Sequence, residues 1–405
     1  MSLTPVHEAL ELLLADVQSP VKIVPCKLNQ ALHKVLAENI SSTINVPPSD
    51  NSAMDGYAVR SNDLLADTNK ALPISQRIQA GHRAEPLTVG TAARIFTGAT
   101  IPAGADAVVM QENCVAADNH VTVKEPVTAG ENIRRRGQDI AAGSQVLRTG
   151  TRLRAQELGL LASLGIAKVQ IFEPLRVAVL STGDELAEPG SVTGPEQIYN
   201  SNRYTLRGLL AGLSCEVIDA GIVADDPRST RATLNAAAAR ADCVISSGGV
   251  SVGEADYIKA AIEDLGELRI WKLAMKPGKP LAYGRIANTP FFGLPGNPAA
   301  VFATFCIVVR PYLLRLQGVT TDVQPLQFKV KANFDWSRAG LRQEYLRGRI
   351  AYSAERDARV DIFSNQSSGV LSSACWANCF VVLAPGQTVL QDEYVTVIPF
   401  DAVLG

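Results

Sequence analysis

The sequence predicts a multidomain α/β plus β protein with a doubly wound α/β domain at its centre, and three observations support this fold class. The chain has 405 residues, more than one ordinary hydrophobic core supports. From Leu175 onward, short apolar runs typical of buried parallel strands alternate with helical segments. Before and after this region lie β-favouring runs separated by Gly, Pro and polar residues. We therefore expect two to four domains.

The N-terminal segment is predicted to be a structural helix rather than a signal peptide, because it carries acidic residues instead of a basic stretch. Its apolar residues share one helix face, and they are Val6, Ala9, Leu10, Leu13, Leu14 and Val17. A second helix, in RAQELGLLASLGIAKVQIF, ends at Gly165 and is expected to rejoin the first. Residues 1–45 and 136–173 are thus predicted to form a discontinuous helical and mixed linker domain.

Residues 46–135 are predicted to form a β-rich inserted domain. The loop VPPSDNSAMDGYA has the composition of turns, and short runs such as ISQRIQA, AARIFTG and HVTVKEPV favour strands. Asp55 in that loop and Thr97 in FTGAT fit ordinary turns as well as they fit a function. The basic run Arg134–Arg136 fits a solvated face somewhat better than a grip on phosphate.

Residues 174–318 are predicted to form the α/β domain. The strands LRVAVLST, CEVIDAGIV and DCVISSGG precede helices, one of which begins at Asp226 and Pro227. Near the end of this domain, Asn297 is a natural N-cap and Pro298 suits the first position of an apolar helix.

Residues 319–405 contain the runs LQFKVKA, EYLRGRIAY, RVDIF, CFVVLAPG and EYVTVIPF, which favour strands. This spacing of short strands predicts a small C-terminal β-barrel.

Composition limits the partners and the compartment. A net charge of −2 supplies no general attraction for nucleic acid, and the longest apolar stretch, Ala299–Val309, is too short to span a bilayer. Seven scattered cysteines, an odd number, suit a reducing cytoplasm. Cys375 and Cys379 are expected to be buried core residues, since no second pair or nearby His completes a zinc set. We expect a soluble cytoplasmic protein without a nucleic-acid or membrane partner.

A glycine-rich loop follows the strand DCVIS. Gly248, Gly249 and Gly253 allow backbone N–H groups to approach a ligand closely, and Asp256 is well placed to cap the helix that begins near Tyr257. Loops that leave a parallel strand and enter a helix are where such sheets bind ligands.

Three lysines, Lys272, Lys276 and Lys279, follow this helix and surround a Pro-Gly pair. Positive charge beside a glycine-rich loop suits a phosphorylated substrate or another oxyanion.

Carboxylates follow three strands of the same predicted sheet. Asp184 and Glu185, just after Thr182, follow the first, Asp225 and Asp226 the second, and Asp256 the third. Acids gathered at one sheet edge near phosphate-binding backbone can hold Mg²⁺, which prefers oxygen ligands. Each acid alone fits a helix cap or a turn equally well, but together with the lysines they favour a site.

Eight segments resemble the MoeA family of molybdopterin molybdenumtransferases, which also includes the carboxyl-terminal part of gephyrin. They are DNSAMDGYAVR, FTGATIPAGADAVVMQE, VLSTGDEL, SNRYTL, SGGVSVGEADY, KLAMKPGKPLAYG, GLPGNPAA and QSSGVLSSACWAN. The resemblance covers essentially the whole chain in family order. The glycine-rich loop also occurs in the related molybdopterin adenylyltransferases, so that loop alone does not choose between the two.

The resemblance implies that adenylylated molybdopterin and molybdate give molybdenum cofactor and AMP, with Mg²⁺ assisting. It implies metal ligation by Glu185, Asp225 and Asp256, and catalytic roles for these three residues, Lys276 and Asp55. The residues it implies for substrate binding are Thr97, Asp139, Thr182, Gly248, Gly249, Ser251, Lys272, Lys276, Lys279, Pro295, Pro298, Arg347 and Ser368. Arg347 and Ser368 would lie beside molybdate, although SSGVL lacks the His that some members carry in this segment.

The resemblance also implies a homodimer, in which Asp55, Thr97 and Asp139 approach the α/β domain of the other subunit. An adenylyltransferase that passes on its product is a possible further partner. Two alternatives stay open: a molybdopterin adenylyltransferase, which normally needs only the α/β domain, and a scaffold that binds molybdopterin without turnover.

Overall fold

The structure, a computed structural model, describes residues 3–18, 22–65, 70–250, 257–353 and 356–404. The chain divides into two compact units. The main unit consists of Met1–Ala37, Gly150–Arg154 and Val169–Gly405, and the inserted unit of Glu38–Thr149 and Ala155–Lys168.

A six-stranded mixed sheet forms the centre of the main unit. Its strands, in spatial order, are Glu216–Val223, Arg176–Thr182, Cys243–Ser247, Thr289–Leu294, Pro280–Ile286 and Gly266–Lys272. The first four are parallel, and Pro280–Ile286 runs antiparallel to both of its neighbours. The predicted alternation of strand and helix therefore holds up to Gly266–Lys272, after which two strands follow without a helix between them.

Helices cover both faces of this sheet. The helices Val6–Ala15, Ser201–Gly212 and Pro298–Leu316 pack on one face, and Pro227–Ala238 and Tyr257–Leu265 pack on the other. Strand Arg176–Thr182 shows why both faces need cover: Val177 and Val179 point into the first core, while Ala178 and Leu180 point into the second. The doubly wound prediction is confirmed, since a buried parallel strand carries apolar residues on both faces.

The apolar helix Pro298–Leu316 corrects one expectation. It is continuous through a π-helical segment, Phe305–Val309, and has 19 residues. An 18-residue window within it has a mean hydropathy of 1.6, so its length and composition would allow it to cross a membrane. The stretch Ala299–Val309 is only part of it. Because 89% of its apolar window is buried inside the main unit, it has the burial expected of a core helix.

The C-terminal part of the main unit is the predicted barrel. Five strands close on themselves because Gln343–Ser353 pairs with strands on both sides. The strands are Phe328–Ala332, Gln343–Ser353, Arg356–Ile362, Cys379–Leu383 and Tyr394–Pro399. A two-residue strand, Met275–Lys276, pairs parallel with the start of Gln343–Ser353. The short helices Ser372–Trp376 and Asp401–Leu404 flank the last two strands.

Smaller elements complete the main unit. They are the strands Ile23–Lys27, Lys168–Phe172, Leu186–Ala187 and Ile198–Tyr199 and the 3-10 helix Leu28–Gln30.

The inserted unit contains a second six-stranded sheet, in agreement with the strand pattern. Its strands, in spatial order, are Ala107–Met110, Gly56–Val59, Ala92–Ile95, Leu72–Ile78, His120–Val123 and Cys114–Ala117. Its other elements are the strands Ile40–Ser41, Asn51–Ser52, Ile133–Arg134 and Gln145–Leu147, the 3-10 helices Ser61–Leu64 and Gln111–Asn113, and the helix Ala155–Ser163.

The helices Val6–Ala15 and Ala155–Ser163, predicted to share a linker domain, fall in different compact units. The first helix buries Val6, Ala9 and Leu13 in the core that also contains the apolar helix, which explains its place in the main unit. The boundaries of the four predicted domains stay predictions.

The cysteines are all free thiols. Cys379 is buried, as expected, but Cys375 is exposed, so the expectation that both are core residues is wrong for Cys375.

A partly buried ionic cluster fastens the end of the first helix to the central sheet. The Asp16 carboxylate accepts a hydrogen bond from the Tyr283 hydroxyl and pairs with Arg269 and Arg285. Burial alone would raise the pKa of Asp16, but the bond from Tyr283 and the charges of the two arginines outweigh it and lower this pKa.

Replacing this carboxylate should destabilise the main unit. We expect Asp16→Asn to lower the free energy of unfolding by about 2 kcal/mol, because the buried Arg285 loses its counter-ion and the more exposed Arg269 keeps Glu267. The loss should shrink as the pH falls below the ordinary aspartate range, since a lowered pKa contributes stability only while the carboxyl is ionised. Chemical denaturation at several pH values measures both effects. Glu11→Gln, on the exposed face of the same helix, is the matched control. Equal stability of the two variants at neutral pH would contradict the assignment.

Candidate functional site

A cleft of about 1050 Å³ lies at the carboxyl ends of the central parallel strands. Residues that follow three strands line it: Thr182 and Glu185 after the first, Gly248 and Gly249 after the second, and Pro295 after the third. Parallel strands that end at one edge bring their following loops together, so residues distant in sequence share one wall. The barrel contributes the loop 366–369 and Arg342.

The glycine-rich loop needs its glycines. Gly248 and Gly249 have φ values of +90° and +66°. An added Cβ would lie 2.6 Å from the Thr182 carbonyl oxygen at Gly248 and 2.6 Å from Ile258 at Gly249. The Thr182 hydroxyl beside them is buried without a hydrogen-bond partner among the residues that the structure describes. Backbone this close to the cleft and a free hydroxyl fit an anionic ligand.

Three predicted residues of the loop, Ser251, Gly253 and Asp256, lie outside the described residues. The helix that Asp256 was expected to cap is described from Tyr257 to Leu265.

The acidic side of the cleft contains Glu185 and Asp225. The Asp225 N–H donates to the Asp184 carboxylate at 3.2 Å. The pKa of Asp225 is raised, first by burial and then by the charges of Asp184 and Glu185. These carboxylates repel one another, and a bound cation would reduce that repulsion.

The third predicted metal ligand, Asp256, is not described, and within the described ranges no group of three or more His, Cys, Asp or Glu residues could hold a metal. Asp226 has a structural role, because its carboxylate accepts the N–H groups of Arg228 and Ser229 at the start of helix Pro227–Ala238.

The basic side contains Lys276, Lys279 and Arg342. Lys272 does not line the cleft, because it ends the edge strand Gly266–Lys272, where its backbone carbonyl accepts the N–H of Thr4. Arg342 was not predicted. It lies immediately before the barrel strand Gln343–Ser353, which meets Met275–Lys276 only in the folded chain, and no local motif marks it.

The loop 366–369 sits at the start of the apolar helix. The Ala299 N–H, at the N-terminus of this helix, donates to the Ser368 carbonyl at 3.0 Å, and Pro298 and Ser368 both line the cleft. Asn297 is the N-cap residue, as predicted, but its side chain makes no capping bond. It lines the cleft instead and was missed as a binding candidate.

Arg347 lies behind this loop and does not line the cleft. Its side chain is fully buried, and Nε and Nη2 donate to the Ser373 hydroxyl at 2.9 Å and the Ser367 carbonyl at 3.0 Å. Desolvation lowers its pKa to about 10. Nη1 has no hydrogen-bond partner among the described residues. Arg347 therefore fixes the loop that carries Ser368.

Asn202, in SNRYTL, was not singled out by the sequence. Its side-chain amide donates to the Ser247 hydroxyl at 2.8 Å and to the Gly296 carbonyl at 2.7 Å. It thereby ties the ends of two neighbouring strands to a helix and shapes the cleft floor.

The remaining predicted residues belong to the inserted unit. The Asp55 carboxylate accepts the Thr97 N–H and hydroxyl, each at 2.7 Å, and these bonds lower the pKa of Asp55. Asp139 is exposed, and its backbone N–H donates to the Val46 carbonyl at 3.0 Å. The structure thus brings Asp55 and Thr97 together, as a turn that holds an exposed acid in one orientation.

Three family profiles match consecutive parts of the chain. The MoeA N-terminal region (domain I and II) matches residues 4–165, a probable molybdopterin binding domain matches residues 178–315, and the MoeA C-terminal region (domain IV) matches residues 329–400.

Full-length relatives agree with these matches. A molybdopterin molybdenumtransferase of Haemophilus influenzae is 42% identical over 97% of this chain and 98% of its own. One from Nostoc is 38% identical over 93% and 88%, respectively. A crystal structure of the molybdopterin biosynthesis MoeA protein from Pyrococcus horikoshii has a TM-score of 0.82 at 30% identity, covering 98% of this chain and all of that chain.

The repulsion among the acids predicts a stability change that depends on metal. In metal-free buffer, we expect Asp225→Asn to raise the free energy of unfolding by up to about 1 kcal/mol, because a carboxyl with a raised pKa destabilises the fold once it ionises. Added Mg²⁺ should stabilise the native protein more than the variant. Thermal melts with and without Mg²⁺ measure both effects. A Mg²⁺ response that is the same in both proteins would argue against a role for Asp225 in metal binding.

Proposed function

Because the chain belongs to the MoeA family of molybdopterin molybdenumtransferases, we propose that it inserts molybdenum from molybdate into adenylylated molybdopterin, releasing AMP and molybdenum cofactor. Its relatives make it a transferase of molybdenum cofactor biosynthesis. The observation that carries the finer proposal is the cleft, where the acids Glu185 and Asp225 and the cations Lys276, Lys279 and Arg342 surround a glycine-rich loop.

Each wall of the cleft suits one part of the reaction. The backbone N–H of Gly249 and the Thr182 hydroxyl would hold the phosphoanhydride, since the Gly248 N–H already donates to the Leu294 carbonyl. Lys279 would neutralise negative charge as this bond breaks. Lys276 and Ser368 would bind molybdate, held in place by the loop that Arg347 fixes. Glu185, Asp225 and Asp256 would hold Mg²⁺, which would supply charge stabilisation to the phosphate oxygens when bound.

We infer further that the protein works as a cytoplasmic homodimer. In this arrangement Asp55, Thr97 and Asp139 of one subunit approach the cleft of the other. The exposed, oriented Asp55 carboxylate is consistent with a contact outside its own unit. An adenylyltransferase could deliver the unstable adenylylated substrate to this dimer.

Molybdate-dependent release of AMP tests the proposed reaction. With Mg²⁺ and adenylylated molybdopterin, the protein should release AMP only after molybdate is added, because both substrates must occupy the cleft. Chromatographic quantification of AMP measures it, with sulfate in place of molybdate as the control. Binding without AMP release would indicate a scaffold instead, and pyrophosphate formation from ATP and molybdopterin would indicate an adenylyltransferase.

Subunit mixing tests the shared site. Asp55→Ala and Lys276→Met dimers should each be nearly inactive, but after subunit exchange about half of the dimers are mixed and each has one intact site. About a quarter of the native activity should return. A mixture of Lys276→Met and Glu185→Gln is the matched control, because both changes lie in the cleft of one main unit and leave no intact site. No recovery in the first mixture would contradict the shared site.

A further inference from the structure

Lys276 is attached to the barrel as well as to the cleft. The two-residue strand Met275–Lys276 pairs parallel with the barrel strand Gln343–Ser353, in a register that places Lys276 opposite Glu344. The Lys276 ammonium lies 3.2 Å from both carboxylate oxygens of Glu344. A residue of the cleft wall is thus held by an acid of the neighbouring barrel strand.

Glu344 is built into this position. Its side chain is only 3% exposed, and Lys276 is its ion-pair partner in the described part of the chain. The Glu344 carboxylate packs against Gly340, where an added Cβ would lie 2.1 Å from a Glu344 oxygen. Any side chain at position 340 would therefore displace the carboxylate from its present position. Burying a carboxylate costs several kcal/mol unless a partner compensates, so this pair is demanding to build.

The Glu344 carboxylate restricts the movement of the Lys276 side chain and does not increase its attraction for an anion. A free lysine side chain has four rotatable bonds, and holding its ammonium in advance removes an entropic cost that binding would otherwise carry. The Trp336 ring, whose centroid lies 5.9 Å from the Lys276 ammonium nitrogen, restricts the movement of the ammonium further. However, a lysine paired with a carboxylate is electrically neutral as a unit and attracts an anion weakly.

Arg342 supplies the charge that this pairing removes. It lines the cleft two residues before Glu344 on the same stretch of chain. One guanidinium nitrogen donates to the Met275 carbonyl at 2.9 Å, which fixes the group beside Lys276 and leaves its other N–H groups available. Within the described ranges no carboxylate lies within ion-pair distance of Arg342.

We propose that Glu344 is a positioning residue that aims the Lys276 ammonium, and that Arg342 is a second cationic ligand for the same oxyanion. The barrel edge would thereby form a two-point grip on a small tetrahedral oxyanion, with one oriented donor and one charged fork. Naming that oxyanion as molybdate rests on the proposed function.

Glu344→Gln tests the positioning role with little change of shape. We expect kcat for AMP release to fall roughly tenfold to a hundredfold, as when one oriented donor is lost, while KM for molybdate stays unchanged or falls. Asp357→Asn is the control, because it removes another lysine–carboxylate pair of the same barrel, Lys331–Asp357, whose residues do not line the cleft.

A double variant separates positioning from simple structural support. If Glu344 acts through Lys276, adding Glu344→Gln to Lys276→Met should cost almost nothing more, whereas independent effects would multiply. Native-like kcat in Glu344→Gln, or multiplying losses in the double variant, would overturn the positioning role.

Arg342→Met tests the second ligand by equilibrium binding, which does not need turnover. Calorimetry with molybdate alone should show at least tenfold weaker binding to the variant, and AMP binding should change less than twofold. Weaker AMP binding with unchanged molybdate binding would overturn the assignment. Failure of the native protein to release AMP would instead count against the proposed function, and this binding comparison would still decide the role of Arg342.

Discussion

The parallel pairing of strand Arg176–Thr182 with its two neighbours is the interaction on which the site depends. Val177 to Ser181 pair with Cys243 to Ser247, and the other edge pairs with Glu216–Val223. These strands run in one direction, so the segments that follow them meet at one edge of the sheet. Glu185 follows Arg176–Thr182, Asp225 follows Glu216–Val223, and the glycine-rich loop follows Cys243–Ser247. Burial on both faces then fixes the register, since a slip by one residue would exchange the two cores.

The features that were predictable from the sequence are those that depend on neighbouring residues along the chain. Asp226 and Pro227 start a helix, Gly248 and Gly249 adopt a left-handed backbone, and a helix follows the glycine-rich loop. Each of these features depends on residues within a few positions along the chain. The closed barrel was also predictable, because its strands are separated by regular turn signals.

Pairings between distant segments were not predictable in the same way. Lys272 and Lys276 look equivalent in the sequence, yet one ends an edge strand and the other lines the cleft, since Lys276 belongs to a separate short strand that pairs with the barrel. Arg342 and Glu344 carry no motif and gain their roles only through the register with Met275–Lys276. Cys375 lies in the short helix before the core strand Cys379–Leu383 and is exposed because this helix buries Ser373 instead.

In the cleft, several charged side chains lie beside groups that change their effective charge. On the acidic side, burial and the charges of Asp184 and Glu185 raise the pKa of Asp225, so a bound cation would reduce the repulsion among these acids. On the basic side, Glu344 cancels the charge of Lys276 but holds it still, and Arg342 returns a positive charge at a defined place. A cleft with bare lysines would attract any anion strongly and orient none. Orientation is what a transfer reaction needs, because only contacts that improve in the transition state accelerate it. The buried Glu344 carboxylate is therefore consistent with catalysis. In a site that only binds an anion tightly, this carboxylate would weaken binding.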